Sequence, residues 1–278
     1  MGTEKRERQK AGRQARLAEA QAATARRKRT RTVLLLAGLV VVLVGVTLAM
    51  GGLGGGDDEP EASADATTTS TTENPYGTAT ECPAADGSSP QTLEFTEPPP
   101  ECIDPASQYT AVFTTTAGTV RVALDTLQTP VATNNFVVLS RYHYYDATAL
   151  FRTNTGIGII QGGSPHTQDN ADAGPGYTIV DEGFDDDVVA AGAGGPYRYV
   201  PGDLVYARPS GQPDSSSAQF FFCATDACSG LDSQGIYIKF GSVTEGLDVL
   251  TAILATAPEG EGAPNPTVTV QSVVIEES

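Results

Sequence analysis

From Thr32 to Gly56 the chain carries no charged side chain, and Val33 to Met50 (VLLLAGLVVVLVGVTLAM) is almost wholly apolar. Eighteen such residues are long enough to cross a bilayer as a helix, the form in which every backbone polar group is paired internally. Arg26-Arg27-Lys28-Arg29 and Arg31 stand directly before the run. The positive-inside rule therefore puts the N-terminus in the cytoplasm and everything after Gly51 outside, as a single-pass protein of the cell membrane. A cleaved signal peptide is the alternative, with Thr47-Leu48-Ala49 as its small-residue site. The length of the basic region before the run favours an uncleaved signal anchor.

The run also separates two pieces of opposite charge. Of the 17 Lys and Arg and 34 Asp and Glu in the chain, 11 and 3 fall in residues 1–32, leaving 6 and 31 beyond them. Phosphate binding needs basic side chains, so the acidic piece excludes nucleic acid as a partner. Residues 1–31 have helix-forming composition with little apolar face and read as a basic cytoplasmic segment, solvated or bound to lipid headgroups. The densest acidic run, Asp181-Glu182-Gly183-Phe184-Asp185-Asp186-Asp187, lacks the alternating ligands and closing Glu of a calcium loop and reads as an exposed loop. Neither a metal nor a cofactor is expected.

The expected organisation is a basic segment 1–31, a transmembrane helix 32–50, a linker and Cys-containing lead-in 51–102, and a folded domain 103–278. The stretch from Gly51 to about Tyr76 is rich in Gly, Asp, Glu and Thr and has almost nothing to bury, which predicts a flexible tether. Cys82, Cys102, Cys223 and Cys228 all follow the apolar run. An even number in an extracytoplasmic segment favours disulfides, and order along the chain suggests Cys82–Cys102 and Cys223–Cys228. Zinc is the alternative, although the spacings match no zinc-finger pattern and only His143 and His166 could join them.

From Ile103 onward the texture is that of short strands. Tyr109–Thr116 and Thr119–Leu124 alternate apolar and polar residues around Ala117-Gly118, which predicts a β-hairpin. Thr129-Pro130 opens a segment with helical spacing that ends near Arg141, and Leu247–Leu254 predicts a second helix. Short apolar runs at 157–160, 204–206, 219–223 and 236–240, then an alternating segment at 267–275, predict further strands. The pattern is a mainly β domain, a barrel covered by two helices.

Particular residues then resemble the cyclophilin family of peptidyl-prolyl cis-trans isomerases. Tyr144-Tyr145-Asp146, Leu150-Phe151-Arg152 and Ile159-Ile160-Gln161-Gly162-Gly163 are similar to the family's "YYDG…FHR…QGGD". Gly202–Ala207 resembles "G.LSMA", Ala218–Phe222 resembles "SQFFI", and Leu231-Asp232 with Phe240–Val243 resembles "LDG…VFGKV". These motifs run in the family's order across residues 108–276. The resemblance implies an eight-stranded antiparallel barrel capped by two helices, with a groove for prolyl peptides on one side. It implies that Arg152 is the catalytic residue and that Ile157, Ile159, Gln161, Ala207, Gln219, Phe221, Leu231 and Tyr237 line the groove. Phe221 would floor the proline pocket, and Gln161 and Gln219 would hold Arg152 and the peptide backbone.

The chain departs from the family within the groove. Phe151 replaces a His, and Arg152 to Gln161 is one residue longer than usual, leaving Ile157 or Gly158 where a pocket Phe is expected. The stretch from Ala207 to Gln219 is two residues longer, with Pro209 and Pro213 inside it. The chain has no Trp, Gly230 falls where the family often has one, and Gly235 or Tyr237 occupies the region of the groove His. The expected function is a monomeric, tethered isomerase assisting extracytoplasmic proteins, with reduced activity. The alternative is a non-catalytic module that binds Pro-containing partners.

Overall fold

The computed structural model describes residues 75–278. The apolar run, the basic segment and the first part of the linker lie outside the described residues. Among the described residues no helix is long and apolar enough to cross a membrane.

The domain is one mainly β sheet of ten antiparallel strands with helices packed on it. Strands β1 (Tyr109–Thr115) and β2 (Gly118–Leu124) form the predicted hairpin, registered so that only Thr116 and Ala117 turn the chain. Gly118 is required there: its φ is +144°, and a Cβ would lie 2.9 Å from Val249. Alternation works as predicted. Tyr109, Ala111 and Phe113 of β1 are buried together with Val120 and Val122 of β2.

Helix α1 (Pro130–Arg141) follows, then β3 (Thr148–Ala149), β4 (Arg152–Asn154), β5 (Ile159–Gly162), α2 (Asp186–Ala191), β6 (Asp203–Tyr206) and β7 (Phe220–Cys223). A 3₁₀ turn (Asp226–Leu231) leads to β8 (Lys239–Glu245), α3 (Leu247–Ala255), β9 (Glu261–Gly262) and β10 (Thr269–Glu277). The hydrogen-bonded order is β3-β10-β1-β2-β8-β6-β7-β5-β4-β9. It is open, a half-barrel with ten strands where the resemblance implied an eight-stranded barrel. The two ends of the order still come near one another, because only Leu150 and Phe151 separate β3 from β4. Strands of two or three residues are too short to show a periodicity, which is why β3, β4 and β9 had no signature in the sequence. The run predicted at 236–240 enters the sheet only at Lys239 and continues to Glu245.

Among the described residues three helices, not two, accompany the sheet. Helix α2 starts inside the acidic run predicted to be an exposed loop; the first two residues of that run are structural, while Asp185, Asp186 and Asp187 are exposed. The Arg208 guanidinium donates to Asp181 Oδ1 at 2.7 Å with both side chains buried. The Glu182 carboxylate accepts the Val131 and Ala132 N–H groups at 3.0 and 2.8 Å, and so caps α1 from fifty residues away. Thr129, at the N-cap position, makes no side-chain cap bond of its own. A helix N-terminus leaves N–H groups without intrahelical partners, and an anion there also meets the positive end of the helix dipole. Burial pushes the Glu182 carboxyl above its ordinary value, with the two N–H bonds acting against that shift.

Helix α1 is buried from Val131 to Arg141, more than one amphipathic face allows. Its polar residues are satisfied from both sides. Asn134 accepts the Cys102 N–H at 2.8 Å and donates to Pro100 O at 2.9 Å, so it carries the lead-in segment. Asn135 donates to Tyr206 Oη and Ser217 O and accepts from Tyr177 Oη. Residues 75–102 are fastened to the domain in further places. Phe95 N–H bonds to Pro175 O, the Phe95 ring lies 5.3 Å from Tyr142, and Cys82 is bonded to Cys102.

The apolar run of β7 (FFFC) is buried throughout because it faces two clusters. Phe220 and Phe222 join the main core with Phe113, Phe136, Tyr206 and Phe240. Phe221 and Cys223 point the other way and join Ile159, Tyr199, Val205, Cys228 and Leu231 in a second, smaller cluster. That second face carries the cleft.

Candidate active site

On the outer face of β4, β5, β7 and the end of β6 lies an open cleft of about 650 Å³. Arg152, Ile157, Ile159, Gln161, Ala207, Gln219, Phe221, Leu231 and Tyr237, all named from the sequence, line it together. Strand register explains the polar side. Arg152 on β4 pairs with Gln161 on β5, which pairs in turn with Phe221 on β7. Arg152 Nη1 donates to Gln161 Oε1 at 2.6 Å. Gln161 Nε2 donates to Gln219 Oε1 at 2.9 Å and to Asn170 Oδ1 at 3.0 Å. Each amide is therefore oriented by the next. At its other tip, Arg152 Nη2 donates to Glu261 Oε2 at 2.9 Å, and this bond and charge hold the Glu261 carboxyl below its ordinary value. Arg152 Nε is buried without a protein partner.

The apolar side is built on the second cluster. Phe221 lies edge-on to Tyr237, with ring centroids 5.9 Å apart. Tyr237 is fixed from behind by the Tyr199 hydroxyl, which donates to Tyr237 O and accepts from Tyr237 N–H, both at 2.9 Å. Burial raises the Tyr237 phenol above its ordinary value, so it stays neutral near pH 7. Leu231 ends the 3₁₀ turn, which the Cys223–Cys228 disulfide ties to β7 two residues from Phe221. All four cysteines are in disulfides, paired as chain order suggested, which removes the zinc alternative. Gly230, beside Leu231, presents no side chain: within 4 Å a Cβ there would meet only Cγ2 of Ile157, a residue of the cleft, at 3.7 Å.

The far wall was not foreseen. Asn170, Asp172, Thr178, Arg208, Ser217 and Glu261 also line the cleft. Asp172 shapes its loop by accepting the His166, Thr167 and Gly174 N–H groups. Arg208 is held by Asp181 and by the Gln212 carbonyl, which folds the inserted stretch after Ala207 back on itself. Among the described residues no group of three or more His, Cys, Asp or Glu side chains is placed to hold a metal ion.

The sequence model for the cyclophilin-type peptidyl-prolyl cis-trans isomerases matches residues 110–275, more than half of the chain. The chain belongs to the cyclophilin family. The chain is 30% identical over 174 residues to a peptidyl-prolyl cis-trans isomerase of Streptomyces antibioticus, covering 60% of this chain and 95% of that one. It is 29% identical over 182 residues to a probable peptidyl-prolyl cis-trans isomerase B of Mycobacterium tuberculosis, where the match covers 62% of this chain. That match spans 56%, little more than half, of the M. tuberculosis relative's length. A solved cyclophilin-type isomerase of Cryptosporidium parvum superposes with a TM-score of 0.49 at 23% identity, covering 62% of this cyclophilin and 99% of the other.

Proposed function

We propose that this cyclophilin is a peptidyl-prolyl cis-trans isomerase in which Arg152 is the catalytic residue. Amide resonance gives rotation about an X–Pro bond a barrier of roughly 18–20 kcal/mol. No covalent chemistry is needed, only tighter binding of the twisted amide than of either planar form. As the bond twists, the proline nitrogen becomes pyramidal and its lone pair, no longer delocalised into the carbonyl, can accept from a guanidinium N–H. A charge-assisted hydrogen bond of that kind is worth about 1.5–3 kcal/mol, or roughly 10–150-fold in rate. The cleft excludes water from the proline ring through Phe221, Leu231 and Tyr237, while Gln161 and Gln219 hold the donor and the peptide backbone.

The observation that carries the reading is the hydrogen-bonded series Arg152–Gln161–Gln219 beside Phe221 in one open cleft. The lack of a side chain at Gly230, next to Ile157 of the cleft, supports reduced affinity for the proline ring, hence modest activity. The uncharged run 33–50 behind a basic segment supports a membrane-anchored protein acting on Pro-containing chains outside the cytoplasm. The test is a protease-coupled prolyl-peptide assay on the full chain and its Arg152→Ala variant. Acceleration by the wild type, lost in the variant, is expected; equal rates overturn the assignment.

A further inference from the structure

The Arg152 guanidinium has two protein anchors, and only one of them belongs to the glutamine series. The other is Glu261, 109 residues later, whose Oε2 accepts from Arg152 Nη2 at 2.9 Å and from Asn154 Nδ2 at 3.3 Å. Glu261 sits on β9, a two-residue strand that among the described residues pairs only with β4, the strand of Arg152. The backbone bonds at this edge do not involve the Glu261 side chain. Thr155 N–H donates to Gly260 O at 2.8 Å, Gly260 N–H donates to Thr155 Oγ1 at 2.9 Å, and Thr153 Oγ1 donates to Gly262 O at 2.7 Å. The carboxylate is thus carried at a set height beside β4 by a scaffold that does not need it.

The Glu261 side chain is 53% exposed and that of Arg152 23% exposed, so as an ion pair the contact contributes little to stability. Its geometric effect is larger. A guanidinium held at one tip can still swing about that bond, whereas Gln161 on Nη1 and Glu261 on Nη2 fix its plane. Two of the five guanidinium N–H groups are taken, one on each terminal nitrogen; the second N–H of each terminal nitrogen and the buried, unpartnered Nε–H remain, and the two anchors set the direction of all three. A prolyl nitrogen that accepts one of the remaining N–H groups has no need to displace either anchor.

We propose that Glu261 is a positioning residue for the isomerisation: with Gln161 it holds the Arg152 guanidinium in the plane from which it donates to the prolyl nitrogen. This rests on the isomerase reading above. A side chain misplaced by about 1 Å can cost up to 100-fold in rate, and loss of one of two anchors is a milder case of that.

The experiment measures kcat and KM for a prolyl peptide with the full chain and with Glu261→Ala, Glu261→Gln and Arg152→Ala, each normalised to the folded fraction from circular dichroism. Glu261→Ala is expected to lower kcat roughly 3–10-fold with little change in KM, since it removes an interaction expressed in the transition state. Glu261→Gln keeps an oxygen that accepts the same Nη2 bond and is expected to retain at least about half of the wild-type kcat. Wild-type kcat in Glu261→Ala, or equal losses in the Ala and Gln variants, overturns the positioning role while an inactive Arg152→Ala leaves the isomerase reading standing. Wild-type rates in Arg152→Ala overturn both.

Discussion

Replacing Glu182 by Ala tests whether a residue from an acidic loop holds the longest helix of the domain. The substitution removes the acceptor for two N–H groups at the start of α1, on Val131 and Ala132, both buried. Each bond is worth about 1 kcal/mol net, and the carboxylate at the helix N-terminus adds about 0.5–1 kcal/mol. Against this stands the cost of burying the carboxylate, seen in its raised pKa, which the variant no longer bears. The net expectation is a loss of about 2 kcal/mol, and of about 1 kcal/mol for Glu182→Gln, which keeps one oxygen acceptor. For a domain of this size that corresponds to a fall in Tm of roughly 4–8 °C for the Ala variant. Urea denaturation followed by circular dichroism measures the difference, with a shift in midpoint at constant slope expected. Helix α1 packs into the main core and the cleft lies over the second cluster, so the isomerase rate per folded molecule should not change. A loss below about 0.5 kcal/mol, no larger than an ordinary surface substitution, would refute the capping role.

Three other outcomes follow from named contacts. His143 donates from both ring nitrogens only as the imidazolium, to Gly87 O and to Asp146 Oδ2, and these bonds raise its pKa above 6.5. Its stabilisation is therefore complete below about pH 6.5 and is lost as pH rises through the folded-state value; the stability gap between wild type and His143→Gln should narrow as pH rises above 6.5, and a constant gap would contradict this. Asp181→Ala strands the buried Arg208 guanidinium and should cost about 3 kcal/mol in denaturant unfolding; a neutral effect would mean that the Gln212 carbonyl suffices. Gly230→Trp adds an aromatic wall where only Ile157 is near, and should lower KM for a prolyl peptide about fivefold, equivalent to burying roughly 40 Å² of apolar surface; an unchanged KM would show that the missing side chain does not limit binding.

Much of the domain was legible before the structure, and its parts show why. The β1–β2 hairpin and helices α1 and α3 rest on local periodicity, which a strand or a helix imposes on its own residues. Arg152, Gln161, Gln219, Phe221 and Leu231 were legible through motifs whose order along the chain matches a known family, and they meet in one cleft. Reading Asp181–Asp187 as an exposed loop failed because charge density says nothing about partners: Asp181 and Glu182 are engaged by Arg208 and the start of α1, 27 and about 50 residues away. Asn134, Asn135 and Tyr199 went unseen for the same reason, each being a polar side chain whose role depends on a distant backbone or hydroxyl group.

The sequence by itself determined the charge division, the uncharged run, the family and the chemistry available to the cleft. Those follow from residue types and their near neighbours, where the physics is local. Tertiary structure alone decided that β7 faces two clusters, that ten strands form an open half-barrel, and that Glu261 reaches Arg152 across 109 residues of chain. Sheet order and register set which distant groups come within hydrogen-bonding range, and no pattern along the chain encodes that distance.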